Sequence, residues 1–563
     1  MKPLLTTHDP AQARRYYEEG IWRLDTYYNL LSGHASARPD AYALRDATRR
    51  LTYRQLLDLV NALALDLHRA GVRQGERVSI WLPNSVEPVI ILLACSRNGY
   101  VCNPSLHQNY TVAETVELLT RLNAAAVFAQ PGYGADASTS DIFAQIAGLP
   151  FVRKTYRLEH DDASRRGGAP KAGFPRPSGA LPEGALPPAR DNPDKIAYLA
   201  FTSGTTGTPK GVMHSDNTLL ANARAMVEDW GHDSNTVLLS LSPLSHHIAT
   251  VAIGQAMVAG MELVVNDVPE GSTPLDWIIE TGATYVMGVP THAIDILDTM
   301  ERRGVKKLGR VNIFYMAGSP IPRETARAFI GLGITPQNIY GMTENGSHQY
   351  TLPTDDDDTI VGTCGRACRG YEVTLWNPDN PDEPVAPGEG GEIGGRGGVL
   401  MLGYFDNQYA TEDSFNADGW FMSGDLGRFD EKGCLYIIGR KKDLIIRGGH
   451  NIHPIRIESL AMRHPGVRKV AAFPVPDRRL GEKACLAVIP AEGRAVEAEE
   501  MLSHLHAEGL SKYDMPEHFI VMDSFPLTAS GKVLKRELVE WAKAGKIEPT
   551  PVRWVDTAKR KEG

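Results

Sequence analysis

The sequence predicts an α/β fold, in which strands alternate with helices and stack into layers. Residues 51–71 have the apolar spacing of an amphipathic helix, residues 78–82 that of a buried strand, and residues 86–97 that of a second helix. The length of 563 residues exceeds the usual size of one hydrophobic core, so two or more domains are expected.

A charged cluster, Gly-Arg-Lys-Lys-Asp at 439–443, separates a large N-terminal part from a shorter one that has patterns of its own. Those patterns predict a strand over 469–475 and a helix over 533–544. We therefore predict an N-terminal domain over residues 1–441 and a C-terminal domain over residues 442–563. Residues 160–194 are rich in Pro, Gly and charge, which predicts an exposed loop.

Composition argues against several classes of protein. The net charge of -9 disfavours broad binding of nucleic acid or of anionic membranes. The longest unbroken apolar run, residues 89–95, is far too short to cross a bilayer, and the first residues lack the apolar core of a secretory leader. The six cysteines are scattered, which favours reduced thiols over a zinc site. We expect a cytoplasmic protein without membrane insertion, and a homodimer is left open.

Residues 202–211, Thr-Ser-Gly-Thr-Thr-Gly-Thr-Pro-Lys-Gly, follow a buried-strand pattern and have the composition of a polyphosphate clamp. Glycines let backbone N–H groups approach a phosphate, hydroxyls add hydrogen bonds, and Lys210 supplies a positive charge. The expected ligand is ATP. A Walker A loop is excluded because Pro209 precedes the lysine and Gly211 follows it. The alternative interpretation is a flexible Gly/Thr linker.

Three further motifs follow along the chain. They are Ile-Tyr-Gly-Met-Thr-Glu at 339–344, Trp-Phe-Met-Ser-Gly-Asp at 420–425 and Ser-Gly-Lys at 530–532. Together with residues 202–211, these motifs closely resemble the adenylate-forming superfamily of acyl-CoA synthetases, luciferases and adenylation domains. The resemblance extends from about Leu51 to Arg536.

The resemblance implies a role for each motif residue. Tyr340 would lie against adenine, Thr343 would meet the α-phosphate, and Glu344 would bind Mg²⁺. Lys532 matches the catalytic lysine that bridges the carboxylate and the α-phosphate during adenylation. Asp425 and Arg440 would bind the ribose, although a turn cap and a surface cation are the alternative interpretations. The residues that would hold the β- and γ-phosphates of ATP are Thr202, Ser203, Gly204, Thr205, Thr206, Gly207 and Lys210.

The resemblance also implies an overall architecture and a moving part. A large N-terminal body of stacked sheets and helices would be followed by a small, mobile C-terminal lid, with Lys442 at the hinge. After adenylation the lid would remove Lys532 and bring Gly448 and Gly449 to the pantetheine tunnel of coenzyme A. A simple hairpin turn is the alternative interpretation of the two glycines.

The segment Pro-Leu-Ser-His-His at 243–247 matches the segment that closes the acid pocket in this family, with His246 at its characteristic position. Residues 240–257 contain neither Asp nor Glu, so an amino-acid substrate would find no partner for its ammonium group. Small residues at further pocket positions would leave room for a ring or a medium chain. These positions are Ala317, Gly318, Ser319 and Gly341.

We therefore predict an ATP-dependent, Mg²⁺-dependent acyl-CoA ligase that acts on an alicyclic or medium-chain acid through an acyl-AMP. The sequence of residues 342–351, MTENGSHQYT, resembles that of synthetases for cyclohexanecarboxylate and related acids. Three alternatives stay open: a benzoate-type aryl-CoA ligase, an adenylating enzyme that loads a carrier protein, and a nucleotide-binding module without catalysis.

Overall fold

A computed structural model describes residues 9–159, 171–177, 184–202, 209–319, 321–527 and 533–554. Contacts within the chain divide it into two compact units. The first comprises Met1–Val373 with Arg396–Gly419, and the second Thr374–Gly395 with Trp420–Gly563.

The described residues form helices in both units. They are α1 Pro10–Glu18, α2 Tyr27–Ala37, α3 Tyr53–Arg69, α4 Val86–Asn98, α5 Val112–Leu122, α6 Ile142–Ile146, α7 Asp216–Trp230, α8 His247–Ala259, α9 Pro274–Thr281, α10 Pro290–Arg303, α11 Arg323–Gly331, α12 Asp357–Gly362, α13 Gln408–Asp413, α14 Pro454–Ala461, α15 Ala498–Ala507 and α16 Lys535–Lys543, with a 3₁₀ turn at Lys441–Asp443.

Strands alternate with these helices through most of the first unit. They are β1 Tyr42–Arg45, β2 Arg50–Thr52, β3 Arg77–Trp81, β4 Val101–Asn103, β5 Ala126–Ala129, β6 Lys154–Arg157, β7 Ile196–Thr202, β8 Lys210–Ser215, β9 Val237–Ser240, β10 Glu262–Val265, β11 Tyr285–Gly288, β12 Ile313–Met316, β13 Thr335–Met342, β14 Gly346–Tyr350, β15 Arg366–Ala367, β16 Tyr371–Trp376, β17 Gly391–Gly397, β18 Phe421–Phe429, β19 Leu435–Arg440, β20 Ile445–Arg447, β21 His450–Ile452, β22 Val467–Asp477, β23 Gly481–Pro490, β24 His518–Val521 and β25 Thr550–Pro551.

Two sheets with parallel centres build the first unit. One has the order β15-β14-β13-β12-β11-β9-β10-β1-β2, and the other the order β6-β5-β3-β4-β7-β8. Neighbouring strands from β13 to β1 in the first order and from β6 to β7 in the second are parallel, and antiparallel strands occupy edges. The predicted α/β class is confirmed.

A layer of helices is packed between the sheets. One continuous core cluster contains side chains of both sheets together with those of α3, α4, α7 and α8. Every residue of α4 is buried, as expected of a helix covered on all sides. The predicted helices and strand over 51–71, 78–82 and 86–97 are confirmed to within two residues at each end. Thr52 and Gln55 explain the start of α3, since they form a reciprocal capping box.

A buried ion cluster ties α4 to the hairpin of β1 and β2. Arg49 donates from Nε to Asp46 at 3.0 Å and from Nη2 to Glu87 of α4 at 2.9 Å. All three side chains are almost completely excluded from water. Burial opposes ionisation of Glu87, but its hydrogen bonds and charge interaction with Arg49 outweigh that effect and lower the pKa of the Glu87 carboxyl to about 2.

The second unit contains two sheets of different make-up. Strands β16-β17-β18-β19 form one in that order. The other is mixed, with the order β21-β20-β23-β24-β25 and β22 paired to β23. Separate apolar clusters cover it, one with α14 and α15 and the other with α16. The predicted strand over 469–475 lies within β22, and the predicted helix over 533–544 is α16.

Two sequence predictions about boundaries and loops need comment. The contacts group Asp425 and Arg440 with the second unit, whereas the predicted boundary after residue 441 counts them with the first domain. The boundary after residue 441 was placed at the proposed hinge, whereas the two units are defined by contacts within the chain. The hinge boundary stays a prediction. The exposed loop predicted over 160–194 is wrong in part: Lys171 and Phe174 are buried, because Lys171 donates to Gln130 at 2.8 Å and Phe174 packs beside Phe128.

We expect the Arg49→Met variant to lose about 3 to 5 kcal/mol of unfolding free energy, because two buried carboxylates would remain without their cation. Chemical denaturation at pH 7 measures the change. Arg15→Met is the control, since Arg15 is 61% exposed and pairs with Glu19 on the surface of α1; it is expected to behave like the wild type. Equal losses in the two variants would contradict the assignment.

Candidate active site

The phosphate-clamp motif lies between two antiparallel strands. Thr202, the last residue of β7, pairs with Lys210, the first residue of β8. Parts of the predicted clamp, Ser203, Gly204, Thr205, Thr206 and Gly207, lie outside the described residues. The pairing holds the two ends of this segment side by side at the edge of the six-stranded sheet.

One face of β8 points toward two other site elements. Because side chains alternate along a strand, Lys210, Val212 and His214 share a face. The Lys210 ammonium lies 4.6 Å from the ring centre of Tyr404, and Val212 forms a backbone bridge with Tyr404. Nε2 of His214 lies 2.7 Å from the Thr343 carbonyl oxygen. The structure therefore brings Lys210 and the predicted phosphate-binding turn at 343–344 to the same strand.

The hairpin of β13 and β14 carries Tyr340, Gly341, Thr343 and Glu344. The Tyr340 ring packs edge-on against His348, with 5.5 Å between ring centres. A Cβ atom on Gly341 would lie 1.8 Å from the Gly346 carbonyl oxygen, so the hairpin itself requires glycine there. The sequence analysis related the small size of Gly341 to room in the acid pocket. The close approach of the hairpin backbone is a separate reason for glycine at this position.

Glu344 is buried and is held by Tyr404. Oε1 of Glu344 accepts a hydrogen bond from the Tyr404 hydroxyl at 2.9 Å, and the Met401 N–H donates to the Glu344 carbonyl oxygen at 2.7 Å. Burial, and then the Glu344 charge, raise the pKa of Tyr404 far above its usual value. Tyr404 thus contacts Lys210 and Glu344 at once. The sequence analysis missed it, since a tyrosine 60 residues beyond its partner has no local signature.

The donor set around Glu344 can be compared with what Mg²⁺ needs. Within the described ranges, no group of three or more His, Cys, Asp or Glu side chains could hold a metal ion. Mg²⁺ in nucleotide sites is held by one or two carboxylates plus substrate phosphates and water rather than by a full protein cage. A single buried carboxylate, linked through Tyr404 to Lys210, therefore fits Mg²⁺ brought in with ATP.

Three histidines lie in or near this hairpin: His214 and His348 are buried, and His247 is half-buried. His214 stacks on His247 with 5.5 Å between ring centres, and His247 lies 3.3 Å from the Tyr198 hydroxyl. Burial lowers the pKa of His214 to about 4, and burial followed by the charge of His214 lowers the pKa of His247 to about 3. Burial likewise lowers the pKa of His348 to about 3. These imidazoles are neutral at pH 7.

His246 occupies the residue before α8, and its ring contacts a histidine that the sequence analysis did not identify. His107, four residues after β4, lies edge-to-face with His246 at 4.7 Å between ring centres. Nδ1 of His107 lies 2.9 Å from the Ser245 hydroxyl, and the Trp81 indole N–H donates to the His107 carbonyl oxygen at 3.0 Å. Burial, then the charge of His246, lower the pKa of His107 to about 3.

The other predicted pocket residues follow β12. Ala317 is buried, whereas Ser319 is exposed. Gly318 has a φ of +91°, and a Cβ there would lie 3.6 Å from Val289 and 3.9 Å from Ile248. Apolar side chains therefore stand close to Gly318, and its positive φ favours glycine independently of pocket size.

In the second unit, Asp425 and Arg440 are cross-strand partners. β18 and β19 pair them in register, and Nε of Arg440 donates to Oδ1 of Asp425 at 3.0 Å. Asp425 is buried, and its N–H donates to the Ser423 hydroxyl at 3.1 Å. The arrangement fixes the carboxylate, and it gives Arg440 a structural partner that the sequence analysis did not anticipate.

The predicted hinge and lid residues lie nearby in the chain. Lys442 is exposed within the 3₁₀ turn at Lys441–Asp443. Gly448 and Gly449 form the exposed two-residue turn between β20 and β21, and both have positive φ, at +57° and +86°. Such a turn matches the twist of a β-hairpin and favours glycine at both positions. Lys532 lies outside the described residues.

Comparison with known proteins gives the class. Residues 31–405 match the model of the AMP-binding enzyme family, and residues 456–532 match that of the AMP-binding enzyme C-terminal domain. The chain therefore belongs to the AMP-binding enzymes, as the motifs predicted, and it is an enzyme of the adenylate-forming superfamily. In the described ranges no helix is long and apolar enough to span a membrane.

Several members of the family are similar to this chain over almost its whole length. The chain is 29% identical to the medium-chain fatty-acid–CoA ligase of Escherichia coli (strain K12), covering 95% of this chain and 93% of the relative. It is 32% identical to a salicylyl-CoA synthase / salicylate adenylyltransferase of Streptomyces sp, covering 95% and 97%. Among solved structures, ATP-bound MatB from Rhodopseudomonas palustris is 28% identical with a TM-score of 0.76, covering 92% and 99%.

We expect stability to fall as the pH decreases below about 6.5, the usual histidine pKa, because the unfolded chain then binds protons that the buried neutral histidines exclude. Above that pH these groups are neutral in both states and contribute no slope. Replacing His348 with Phe should reduce the slope between pH 6 and pH 4 by up to about 1.4 kcal/mol per pH unit. Chemical denaturation across this range measures it.

The matched control for that measurement is Tyr371→Phe. Tyr371 packs against the same His348 ring at 4.4 Å, and burial raises its pKa, so that its phenol does not titrate in this range. The slope of unfolding free energy against pH in Tyr371→Phe should equal that of the wild type. An unchanged slope in His348→Phe would contradict a neutral, buried imidazole.

Proposed function

We propose that this enzyme is an ATP-dependent acyl-CoA ligase. In the first step a carboxylic acid attacks the α-phosphorus of ATP, which forms acyl-AMP and releases pyrophosphate. In the second step the thiol of coenzyme A attacks the acyl carbon, which forms acyl-CoA and releases AMP. The observation that carries the proposal is the face of β8, where Lys210 contacts the ring of Tyr404, whose hydroxyl binds Glu344, while His214 contacts Thr343.

Charge stabilisation and positioning are the main tasks of the protein in phosphoryl chemistry. The Thr343 hydroxyl is assigned to the α-phosphate, and Lys210 with the clamp residues to the β- and γ-phosphates. Mg²⁺ bound at Glu344 would supply further neutralisation of phosphate charge. Tyr404 keeps the Glu344 carboxylate oriented through its hydrogen bond, since a buried carboxylate without a partner would be costly.

The second unit is assigned the ribose and the catalytic lysine. Asp425 offers a carboxylate that its pairing with Arg440 holds in place, which suits two adjacent ribose hydroxyls. Lys532 is assigned to the carboxylate and the α-phosphate in the first step. We assign Lys442 to the hinge and the exposed turn at Gly448 and Gly449 to the pantetheine arm, because a turn without side chains admits close approach.

The acid is proposed to lack an α-amino group and to be alicyclic or of medium chain length, with cyclohexanecarboxylate as the favoured example. Residues 240–257 contain no acidic side chain to receive an ammonium. Ile248 and Val289 stand close to Gly318, which supports an apolar pocket wall. The medium-chain ligase of Escherichia coli fits this choice, and the salicylyl-CoA synthase keeps an aromatic acid as the second candidate.

We expect Lys532→Ala to lower ATP–pyrophosphate exchange by about 10² or more, because the variant loses a charge on the α-phosphate in the adenylation transition state. Conversion of supplied acyl-AMP and coenzyme A to acyl-CoA should stay near the wild-type rate. Lys535→Ala is the matched control, since Lys535 binds Glu458 at 2.7 Å. Equal loss of both half-reactions in Lys532→Ala would refute the assigned role.

The acid is tested with a panel from acetate to decanoate that includes cyclohexanecarboxylate, benzoate, salicylate and amino acids. The ratio kcat/KM for CoA consumption should rise about fourfold for each added methylene, which is about 0.8 kcal/mol, and then fall once the pocket is full. Cyclohexanecarboxylate is expected to exceed benzoate. A maximum for acetate or an amino acid would overturn the pocket assignment, and a preference for benzoate would overturn the alicyclic choice alone.

A further inference from the structure

We propose that His214 is a positioning residue for adenylation: through the Thr343 carbonyl it holds the turn that presents the Thr343 hydroxyl and the Glu344 carboxylate to ATP. The inference rests on the proposed function, and it adds a residue that the motifs do not assign. Both ring nitrogens of His214 have protein partners, so it would act on ATP through Thr343.

The hydrogen bonds of His214 determine its tautomer. Nε2 lies 2.7 Å from the Thr343 carbonyl oxygen, and a carbonyl oxygen can only accept, so Nε2 carries the proton. Nδ1 lies 3.0 Å from the Thr218 hydroxyl and is therefore the acceptor. The ring is 1% exposed, and both of its nitrogens have partners.

Contacts from within the hairpin and from two other segments hold the turn at Thr343 and Glu344. Asn345 braces the turn from within, since its side-chain oxygen accepts from the Met342 N–H at 3.1 Å. Met401 donates to the Glu344 carbonyl oxygen from a later segment. His214 supplies the contact to Thr343 from β8, the same strand that starts with Lys210. Loss of this bond would free the Thr343 peptide to rotate relative to the clamp lysine.

Displacements of about 1 Å in a catalytic group can lower a rate by about 10². Thr343 is assigned to the α-phosphate, which acyl-AMP keeps, whereas the β- and γ-phosphates are present only in ATP. The loss of His214 should therefore lower the first half-reaction more than the second. The apparent KM for the acid should change little, while kcat for ATP–pyrophosphate exchange falls.

Two amide substitutions separate positioning from packing. The side-chain nitrogen of Gln can take the place of Nε2 and donate to the Thr343 carbonyl, whereas that of Asn reaches only the place of Nδ1, next to Thr218. His214→Gln is expected to keep exchange within about fivefold of the wild type. His214→Asn is expected to lose about 10² in kcat for exchange, in line with the cost of misplacing catalytic groups. Both should be affected less in the conversion of supplied acyl-AMP to acyl-CoA than in exchange.

The control is His232→Asn, at another buried histidine that stacks on Tyr285 with 4.3 Å between ring centres and has no contact with the β13–β14 turn among those described. It should retain exchange even if its thermal midpoint falls. All variants are assayed at least 15 °C below their own midpoints, so that unfolding does not enter the rates.

The outcomes divide cleanly. Exchange activity that His214→Gln keeps and His214→Asn loses supports the positioning role. Equal exchange activity in His214→Gln and His214→Asn would overturn it, whether both are active or both inactive. Equal reduction of both half-reactions would also overturn it. A wild-type protein that shows no exchange with any acid of the panel would instead refute the proposed function, and the two failures are therefore distinguishable.

Discussion

Burial of the helix layer on both sides is the constraint from which the geometry of the first unit follows. Helix α7 begins at Asp216, whose carboxylate accepts hydrogen bonds from Ser96 of α4 and from the Tyr27 N–H, both at 3.0 Å. Ser215 is at once the last residue of β8 and the N-cap of α7. A helix that cannot shift thus fixes the end of the strand that carries His214, and the strand in turn places Lys210.

Contiguous motifs in the sequence supplied most of the residues proposed for the candidate site. Thr343 and Glu344 lie in the turn between β13 and β14, Asp425 lies within β18, and the α/β class followed from alternating periodicities. His107, His214 and Tyr404 escaped the sequence analysis, because each acts through a partner 60 or more residues away along the chain. Nothing in their immediate neighbours distinguishes them from ordinary core residues.

The structure gives Gly341 and part of the predicted loop causes that composition alone does not show. Gly341 was related to pocket volume, yet the backbone of its own hairpin approaches so closely that no side chain fits. Residues 171–174 have the composition of a surface loop, yet Lys171 is buried because Gln130 supplies a hydrogen-bond partner. Composition predicts exposure only when the polar groups have no such partner available, and that depends on the fold.

The phenol of Tyr404 contacts two side chains of opposite charge, one through its ring face and the other through its hydroxyl. Substitutions at Lys210 and Glu344 are therefore linked through a shared neighbour, and their effects on the free energy of any process that uses both should not add. In evolutionary terms this is local epistasis. A lineage that altered the lysine would have changed the conditions under which the carboxylate could be altered, so the pair would tend to persist or to be lost together.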